Sequence, residues 1–209
     1  MPRTVETAAT LVPPRPTLPK LQQAAAGCTA CPLHKVGTQT VFGDGPRSSE
    51  LMLVGEQPGD KEDLAGEPFV GPAGRLLDEA LTGAGIDRSR VYVTNVVKHF
   101  KWEARGKRRI HKKPNMAEIT ACKPWLEAEL TVVKPRALVC LGATAAQALL
   151  GREFRVSRQR GELVDSDLAE LVTATIHPSS ILRGPPEERK KALQGLTEDL
   201  AKVAAELAS

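Results

Sequence analysis

The sequence predicts a single α/β domain, an α/β/α sandwich around a mostly parallel sheet of four strands. Four short apolar runs, each followed by glycine or a polar residue, are typical of strands buried on both faces of a parallel sheet. Segments with apolar residues at helical spacing lie between these runs. Strands that alternate with helices predict helices on both faces of one sheet.

The predicted elements follow one another along nearly the whole chain. The strands are expected at residues 50–55, 91–95, 136–141 and 171–176. The helices are expected at residues 18–26, 72–84, 116–130 and 143–150, with a last one marked by Leu193, Leu196, Leu200, Val203 and Leu207. Asn115 and Glu118 predict an N-cap and its reciprocal partner for the third of these helices. A length of 209 residues, without repeats, fits one domain over residues 18–209.

Residues 1–17 are expected to be a disordered arm. The first 19 residues contain five prolines and no continuous apolar core, which argues against both a signal peptide and a helix. No segment approaches the roughly 18 consecutive apolar residues of a membrane span. We therefore expect no membrane association and a cytoplasmic, reducing location, where cysteines bind metals more readily than they form disulfides.

The cationic residues are concentrated in residues 98–113. Eight lysines and arginines surround the single acid Glu103 there, while the formal charge of the whole chain is only +4. Such a run is typical of a solvated or disordered loop, and it is also compatible with binding to a polyanion.

Polar clusters follow three of the predicted strands. Residues 56–60 (EQPGD) follow the first strand, Asn95 ends the second, and residues 177–180 (HPSS) follow the fourth. Ligands of parallel α/β folds bind beyond the carboxyl ends of the strands. Each cluster alone is weak, but their convergence at one sheet edge predicts a functional site.

The cysteines suggest a metal site. Cys28 and Cys31 form a C-x-x-C pair, Cys122 lies further on, and Cys140 is expected to pack inside a strand as a small apolar residue. His99 is the natural fourth ligand, with His34 a weaker competitor. Ligand chemistry alone would favour zinc in such a Cys3His site.

Several motifs together resemble the iron–sulfur uracil-DNA glycosylases, over the chain from about Cys28 to the C-terminal helix. They are C-x-x-C, GEQPGDKEDLAGEPFVGPAGRLLD, VYVTNVVK, ACKPWL, LVCLGATAAQALLG and TIHPSSILRG. Most members have cysteine where this chain has His99, and the segment after it is longer here and contains residues 106–111 (GKRRIH). Both departures resemble the UdgX branch, whose members become covalently attached to uracil-DNA.

The resemblance implies a cofactor and a base-binding pocket. A structural [4Fe–4S] cluster would be held by Cys28, Cys31, His99 and Cys122. Uracil would stack on Phe69 and lie near Gly55 and Gln57. The amide of Asn95 matches uracil O4 and N3–H, and His177 would donate a hydrogen bond to uracil O2.

The same resemblance implies a covalent mechanism on DNA. His111 would attack the sugar C1′, oriented by Glu56, with Asp60 shaping the neighbouring loop. Uracil-containing DNA, single-stranded in preference to double-stranded, would be the partner of a monomeric protein. The expected phosphate and DNA contacts are Lys107, Arg108, Arg109, Ser179, Ser180 and Arg183.

Two alternatives remain at this level. The protein could instead be an ordinary turnover glycosylase in which Glu56 or Asp60 positions water and His111 is a loop residue. It could also be a nucleic-acid binding module with a zinc ion and no catalysis.

Overall fold

The computed structural model describes residues 6–209. Its helices are α1 (Leu18–Ala25), α2 (Asp60–Ala65), α3 (Pro72–Gly83), α4 (Met116–Val133), α5 (Ala143–Leu150), α6 (Val156–Gln159), α7 (Pro178–Arg183) and α8 (Pro186–Leu207). Its strands are β1 (Leu51–Gly55), β2 (Val91–Asn95), β3 (Trp102–Arg105), β4 (Arg108–His111), β5 (Ala137–Leu141) and β6 (Leu171–Thr175). Short 3-10 helices occur at Ala8–Leu11, Pro32–Lys35 and Arg88–Arg90.

Four strands form one parallel sheet in the order β2-β1-β5-β6. The predicted fold class is confirmed, and each predicted strand differs from the observed one by at most a residue at either end. β1 and β5 are buried at every position, because each lies between two other strands and under helices on both faces.

Alternate strand residues pack on opposite faces, as the period of two in a strand requires. Met52 and Val54 of β1 belong to the core covered by α1, α4 and α5. Leu51 and Leu53 belong to the core covered by α3, α7 and α8. The helices therefore form two layers with the sheet between them.

The strand order reverses between β1 and β5. From β1 the chain goes outward to β2, and it then returns to β5 on the other side of β1 and continues to β6. In sheets of this kind the crevice beyond the carboxyl ends at such a reversal is where ligands bind. This places the expected site between the loops that follow β1 and β5.

The basic run at residues 98–113 is folded and is not the disordered loop that its charge pattern allowed. β3 and β4 within it form an antiparallel hairpin in which Trp102 pairs with His111 and Arg105 with Arg108. Gly106 lies in the turn with φ of 60°, a conformation that favours glycine. Residues 103–108 around the turn and residues 111–113 are exposed, whereas Lys98 is buried.

The amino-terminal segment differs from the expected disordered arm over the part that the structure describes. Ala8–Leu11 is a 3-10 helix that contacts α4, and Ala8 is fully buried. Thr7 caps this helix by accepting a hydrogen bond from the backbone of Ala9. A single small apolar residue anchors the segment, and composition did not reveal it. Residues 1–5 of the predicted arm lie outside the described residues.

Across residues 6–209, no helix combines the length and the apolar character that a membrane crossing needs.

Candidate active site

A cavity of about 550 Å³ opens at the carboxyl edge of the sheet, over the reversal between β1 and β5. Residues at or beyond the carboxyl ends of all four parallel strands contribute to its walls. The polar clusters in the sequence predicted the contributions at β1, β2 and β6, but not the one at β5. Among the lining residues are Glu56, Gln57, Glu62, Phe69, Asn95, His111, Lys113, Thr144, Val156, His177, Ser179, Ser180 and Arg183.

Glu56 and His111 meet at this cavity. The distance from Glu56 Oε1 to His111 Nε2 is 3.2 Å, and Glu56 Oε2 accepts a hydrogen bond from the Thr144 hydroxyl. Burial alone would raise the pKa of Glu56, but the hydrogen bonds from His111 and Thr144 outweigh it and hold the pKa below its ordinary value. Glu56 is therefore an ionised acceptor that can fix the ring of His111.

Gln57 attaches the hairpin to the loop after β1. Its side-chain amide donates to the backbone oxygens of Lys101 and Lys112, at 3.2 and 3.0 Å, and its Oε1 accepts from the Lys101 amide at 3.1 Å. Gln57 also lines the cavity, as expected of a residue near the base, but its side-chain amide is engaged by the two ends of the hairpin. Its role is to hold the strand that carries His111.

Arg109 provides a second attachment, which joins the hairpin to α2. Its guanidinium is 2.6 Å from Asp60 Oδ1 and 2.6 Å from Asp63 Oδ2, and it lies 5.5 Å from the ring centroids of both Phe100 and Trp102. Asp63 is fully buried. The expected phosphate contact by Arg109 does not fit this arrangement, because carboxylates and aromatic rings already surround the charge.

Asp60, expected among the catalytic residues, is instead a partner of Arg109. It is not one of the residues lining the cavity. The spacing of Asp60 and Asp63 is one turn of α2, so both carboxylates face the same way toward the hairpin.

Phe69, Asn95 and His177 converge on Gly55, the last residue of β1. A Cβ atom on Gly55 would lie 2.4 Å from Asn95 Oδ1, 2.9 Å from Phe69 Cζ and 3.4 Å from His177 Nε2. Any side chain at position 55 would therefore occupy the space that these three groups face. The predicted base-binding residues are thus brought together around a point that only glycine leaves open.

Phe69 is held in a strained backbone conformation. Its φ is 58°, which is rare for a bulky residue and is often found at functional positions. Glu62 supports the loop, because its Oε1 accepts a hydrogen bond of 2.7 Å from the amide of Gly71. The Phe69 ring stacks near His177, with centroids 6.1 Å apart and planes inclined by 25°.

The hydrogen bonds of Asn95 and His177 determine what each side chain can offer a ligand. Within residues 6–209, no side-chain hydrogen bond involves the amide of Asn95, which leaves it available to a ligand. His177 Nδ1 accepts from the Ser179 amide at 3.1 Å, so Nε2 carries the proton. Desolvation lowers the pKa of His177 to about 4, which keeps it a neutral donor at physiological pH.

The other expected DNA contacts have different positions. Ser179, Ser180 and Arg183 line the cavity, where Arg183 donates to the Ser179 hydroxyl at 3.0 Å. Lys107 and Arg108 are exposed at the turn of the hairpin, outside the cavity wall.

A buried ion pair supports the end of β2. Lys98 Nζ lies 2.5 Å from Glu129 Oε2 and donates to the backbone oxygen of Asn95 at 2.7 Å. Glu129 Oε1 accepts from the hydroxyls of Tyr92 and Thr94, both at 2.9 Å. The charges are satisfied by partners on both sides, as buried charges require. The network fixes the backbone from which the Asn95 side chain projects.

Cys28 and Cys31 lie near Cys122, which belongs to α4. Burial, together with a smaller effect of the two neighbouring cysteines, raises the pKa of the Cys122 thiol to about 12, although Lys98 acts in the opposite direction. Cys28 Sγ accepts a hydrogen bond from the indole of Trp125 at 3.3 Å. Cys140, by contrast, packs inside β5 as an apolar residue, which agrees with the prediction.

The predicted fourth ligand lies nearby but is engaged elsewhere. His99 is buried, and its Nε2 lies 3.1 Å from the Thr40 hydroxyl. His34 Nδ1 contacts the backbone oxygen of Cys31 at 2.6 Å. In the described part of the chain, no three His, Cys, Asp or Glu side chains stand as a group that could hold a metal ion.

Sequence reasoning missed several residues of the site. Thr144 orients Glu56, Glu62 supports the Phe69 loop, and Lys113 lines the cavity. Thr144 lies two residues after Gly142, in the first turn of α5, and that position just beyond the end of β5 is a signal that could have identified it. Nothing in the local sequence distinguishes Glu62 from a solvated helix residue.

Known proteins are similar to this sequence over most of its length. The sequence profile of the uracil DNA glycosylase superfamily matches residues 42–201. The chain is 38% identical over 175 residues to a type-4 uracil-DNA glycosylase of Pyrobaculum aerophilum, covering 80% of this chain and 86% of that protein. It is 38% identical over 177 residues to a type-4 uracil-DNA glycosylase of Thermotoga maritima, covering 84% and 87%.

A third relative, a type-4 uracil-DNA glycosylase of Archaeoglobus fulgidus, is 39% identical over 165 residues, with 76% of this chain and 79% of that protein covered. The matched region contains the sheet, the cavity and the hairpin. The chain belongs to the uracil-DNA glycosylase superfamily.

Proposed function

We propose that this protein excises uracil from DNA and then binds the resulting sugar covalently through His111. One observation carries the proposal: Glu56 and His111 stand 3.2 Å apart at a cavity in which Phe69, Asn95 and His177 converge on Gly55. The relatives named as uracil-DNA glycosylases support the excision, and the histidine beside the carboxylate supports the capture.

The cavity fits an extruded uracil. Glycosylases take their target base out of the stack before acting on it. Phe69 offers a face for stacking, and the free amide of Asn95 can donate to O4 and accept from N3–H. Cytosine reverses this pattern, so its edge would leave buried polar groups unpaired at a cost of about 1–3 kcal/mol each.

His177 assists departure of the base. As the N-glycosidic bond breaks, its electron pair moves to the uracil and negative charge builds on O2. The neutral Nε2–H of His177 can donate to that oxygen, a preorganised interaction that strengthens as the charge develops. The uracil anion then takes up a proton, and the sugar is left as an oxocarbenium-like species.

His111 captures the sugar. Glu56 accepts a hydrogen bond from the Nε2–H of the ring, so the Nδ1 lone pair is left to bond with C1′. A positioned imidazole greatly exceeds water in effective concentration. After the C1′–N bond forms, the Nε2 proton passes to Glu56, and the neutral alkylated ring is a poor leaving group. The adduct should therefore persist.

Cations around the cavity fit the DNA backbone. Arg183 and Lys113 line the opening, and Lys107 and Arg108 are exposed at the hairpin turn. With Ser179 and Ser180 they offer phosphate contacts without sequence preference, so affinity should depend on salt. We propose single-stranded uracil-DNA as the preferred substrate of a monomeric, cytoplasmic protein.

Hydrogen bonds to two of the cysteines support the proposed [4Fe–4S] cluster. Cys28, Cys31 and Cys122 are each buried, and N–H···S hydrogen bonds reach Cys28 from Trp125 at 3.3 Å and Cys122 from the Lys98 amide at 3.2 Å. Such bonds suit sulfurs that carry negative charge. His99 would be the fourth ligand. The cluster would join α4 to the amino-terminal segments and take no part in base excision.

Metal analysis of the purified protein tests this cofactor. We expect about four iron atoms and four acid-labile sulfides per chain, with broad visible absorbance. A Cys122→Ala variant should lose them, whereas Cys140→Ala should retain them. Colourless protein with one zinc per chain would instead favour the Cys3His zinc alternative.

A denaturing gel tests the function itself. The protein is incubated with a labelled oligonucleotide that contains one uracil, then boiled in detergent. We expect a band shifted by the mass of the protein, and no shift with the matched thymine oligonucleotide. Free abasic product without a shifted band would support ordinary turnover with positioned water, and no product of either kind would support a binding module.

A further inference from the structure

A second basic segment lies beside the cavity, at residues 151–160. Arg152, Arg155 and Arg158 are exposed there, and Glu153 is the single acid. Within the described residues, neither Arg152 nor Arg158 has a side-chain hydrogen bond or an ion pair. Arg155 differs, because its guanidinium donates to the backbone oxygens of Arg152 and Phe154. Arg160, the fourth arginine of the segment, pairs with Asp199. The segment thus presents two unengaged guanidinium groups, those of Arg152 and Arg158, on a turn that Arg155 stabilises.

The core fixes this segment against the rim of the cavity. Phe154 and Val156 are both buried, and Val156 also lines the cavity. The amide of Gly161 donates to the oxygen of Ala174 at 2.9 Å, which places the end of the segment at the carboxyl end of β6. The segment that carries the arginines therefore reaches the same edge of the sheet as the cavity.

The arginine segment and the hairpin lie at opposite ends of that edge. β6 is one outer strand of the sheet and β2, from which the chain leads into the hairpin, is the other. The cavity opens between them, over β1 and β5. A nucleotide held in the cavity would have cationic groups on both sides, the hairpin turn on one and the arginine segment on the other.

We propose that Arg152 and Arg158 bind phosphates of the DNA strand on the side of the extruded uridine that is opposite the hairpin. The inference rests on the proposed function, since it is that function which brings DNA to the cavity. A strand that enters and leaves the cavity carries phosphates in both directions from the uridine. Exposed guanidinium groups bind phosphate through paired N–H donors.

The double variant Arg152→Gln/Arg158→Gln tests the inference. Binding is measured by fluorescence anisotropy to a single-stranded oligonucleotide with a central 2′-fluoro-2′-deoxyuridine, in which the fluorine slows cleavage. Loss of two phosphate contacts should reduce the slope of log affinity against log salt by about 1.4, since each contact on a single strand contributes about 0.7. Affinity at moderate salt should fall about tenfold.

A matched control separates local contact from net charge. Arg88 and Arg90 immediately precede β2, so they lie at the amino edge of the sheet, opposite the carboxyl edge where the cavity opens. There they pair with the exposed acids Asp78 and Glu50. Arg88→Gln/Arg90→Gln removes the same charge and should bind DNA as the wild type does. An equal loss in both double variants would overturn the inference, because it would show only a long-range effect of charge.

Shortened oligonucleotides locate the contact on the strand. Removing the nucleotides on one side of the uridine should weaken binding by the wild type but have no further effect on Arg152→Gln/Arg158→Gln. Removing the other side should weaken both proteins equally. An unchanged salt slope, or an equal effect of both truncations in the variant, would overturn the inference while uracil release still supports the proposed function. Absence of uracil release and adduct in the wild type would instead overturn the proposed function.

Discussion

The His111→Ala protein should form no covalent adduct with uracil-containing DNA and should still release uracil. The substitution removes the nitrogen that is proposed to bond to C1′, while Phe69, Asn95 and His177 should keep their positions around Gly55. The His111 side chain is 47% exposed, so its removal admits water beside Glu56 without opening a hole in the core. We expect the adduct to fall by at least about 100-fold, since near-attack positioning of the imidazole is lost.

Two measurements on one reaction separate capture from excision. The shifted band on a denaturing gel reports the adduct, and chromatography of the supernatant reports free uracil. Cys140→Ala, a change at a buried position of β5 that does not line the cavity, should give adduct and uracil as the wild type does. Persistence of the adduct in His111→Ala would show that another residue is the nucleophile, and loss of uracil release together with the adduct would assign His111 to the excision step.

Breaking the buried ion pair between Lys98 and Glu129 should greatly lower the free energy of unfolding. Glu129→Gln keeps the shape of the side chain but leaves the Lys98 ammonium without a countercharge, 1% exposed to solvent. Removing one partner of such a pair typically costs about 3–5 kcal/mol. Urea unfolding followed by circular dichroism should therefore show a much lower midpoint.

The same helix provides the control. Glu127 of α4 pairs with Lys123 one turn away, and both side chains are about half exposed. Glu127→Gln should change the free energy of unfolding by less than about 0.5 kcal/mol, as for other exposed pairs on helices. A free energy of unfolding of Glu129→Gln within about 1 kcal/mol of the wild-type value would contradict the prediction. It would mean that Lys98 finds another partner or solvent and that the ion pair does not stabilise β2.

The sheet and helices could be predicted because their signals are local. Continuous apolar runs such as residues 137–141 and capping residues such as Asn115 and Glu118 act within a few positions of the chain. The capping box is present with both of its hydrogen bonds. The positions of Asn95 and His177 followed from the same reasoning, since each comes where a strand ends.

The hairpin could not be predicted in this way, because distant residues decide its structure. A run of eight cations resembles a solvated loop until Asp60, Asp63 and Gln57 are known to face it. The role of Arg109 likewise depends on two carboxylates 46 and 49 positions away. Burial of Lys98 depends on its pairing with Glu129 of α4. The pattern of charges along the sequence does not reveal which distant residues pair.

The attachments of the hairpin also determine how the site responds to thermal motion. Gln57, Asp60 and Asp63 all belong to the short segment that begins with Glu56, so the proposed nucleophile His111 and its orienting carboxylate are attached to the same segment. We therefore expect the distance between His111 and Glu56 to vary little when this segment moves relative to the sheet. The fluctuations that remain are those between this pair and the base held over Gly55, so the rate of capture should depend on how firmly the uridine is held.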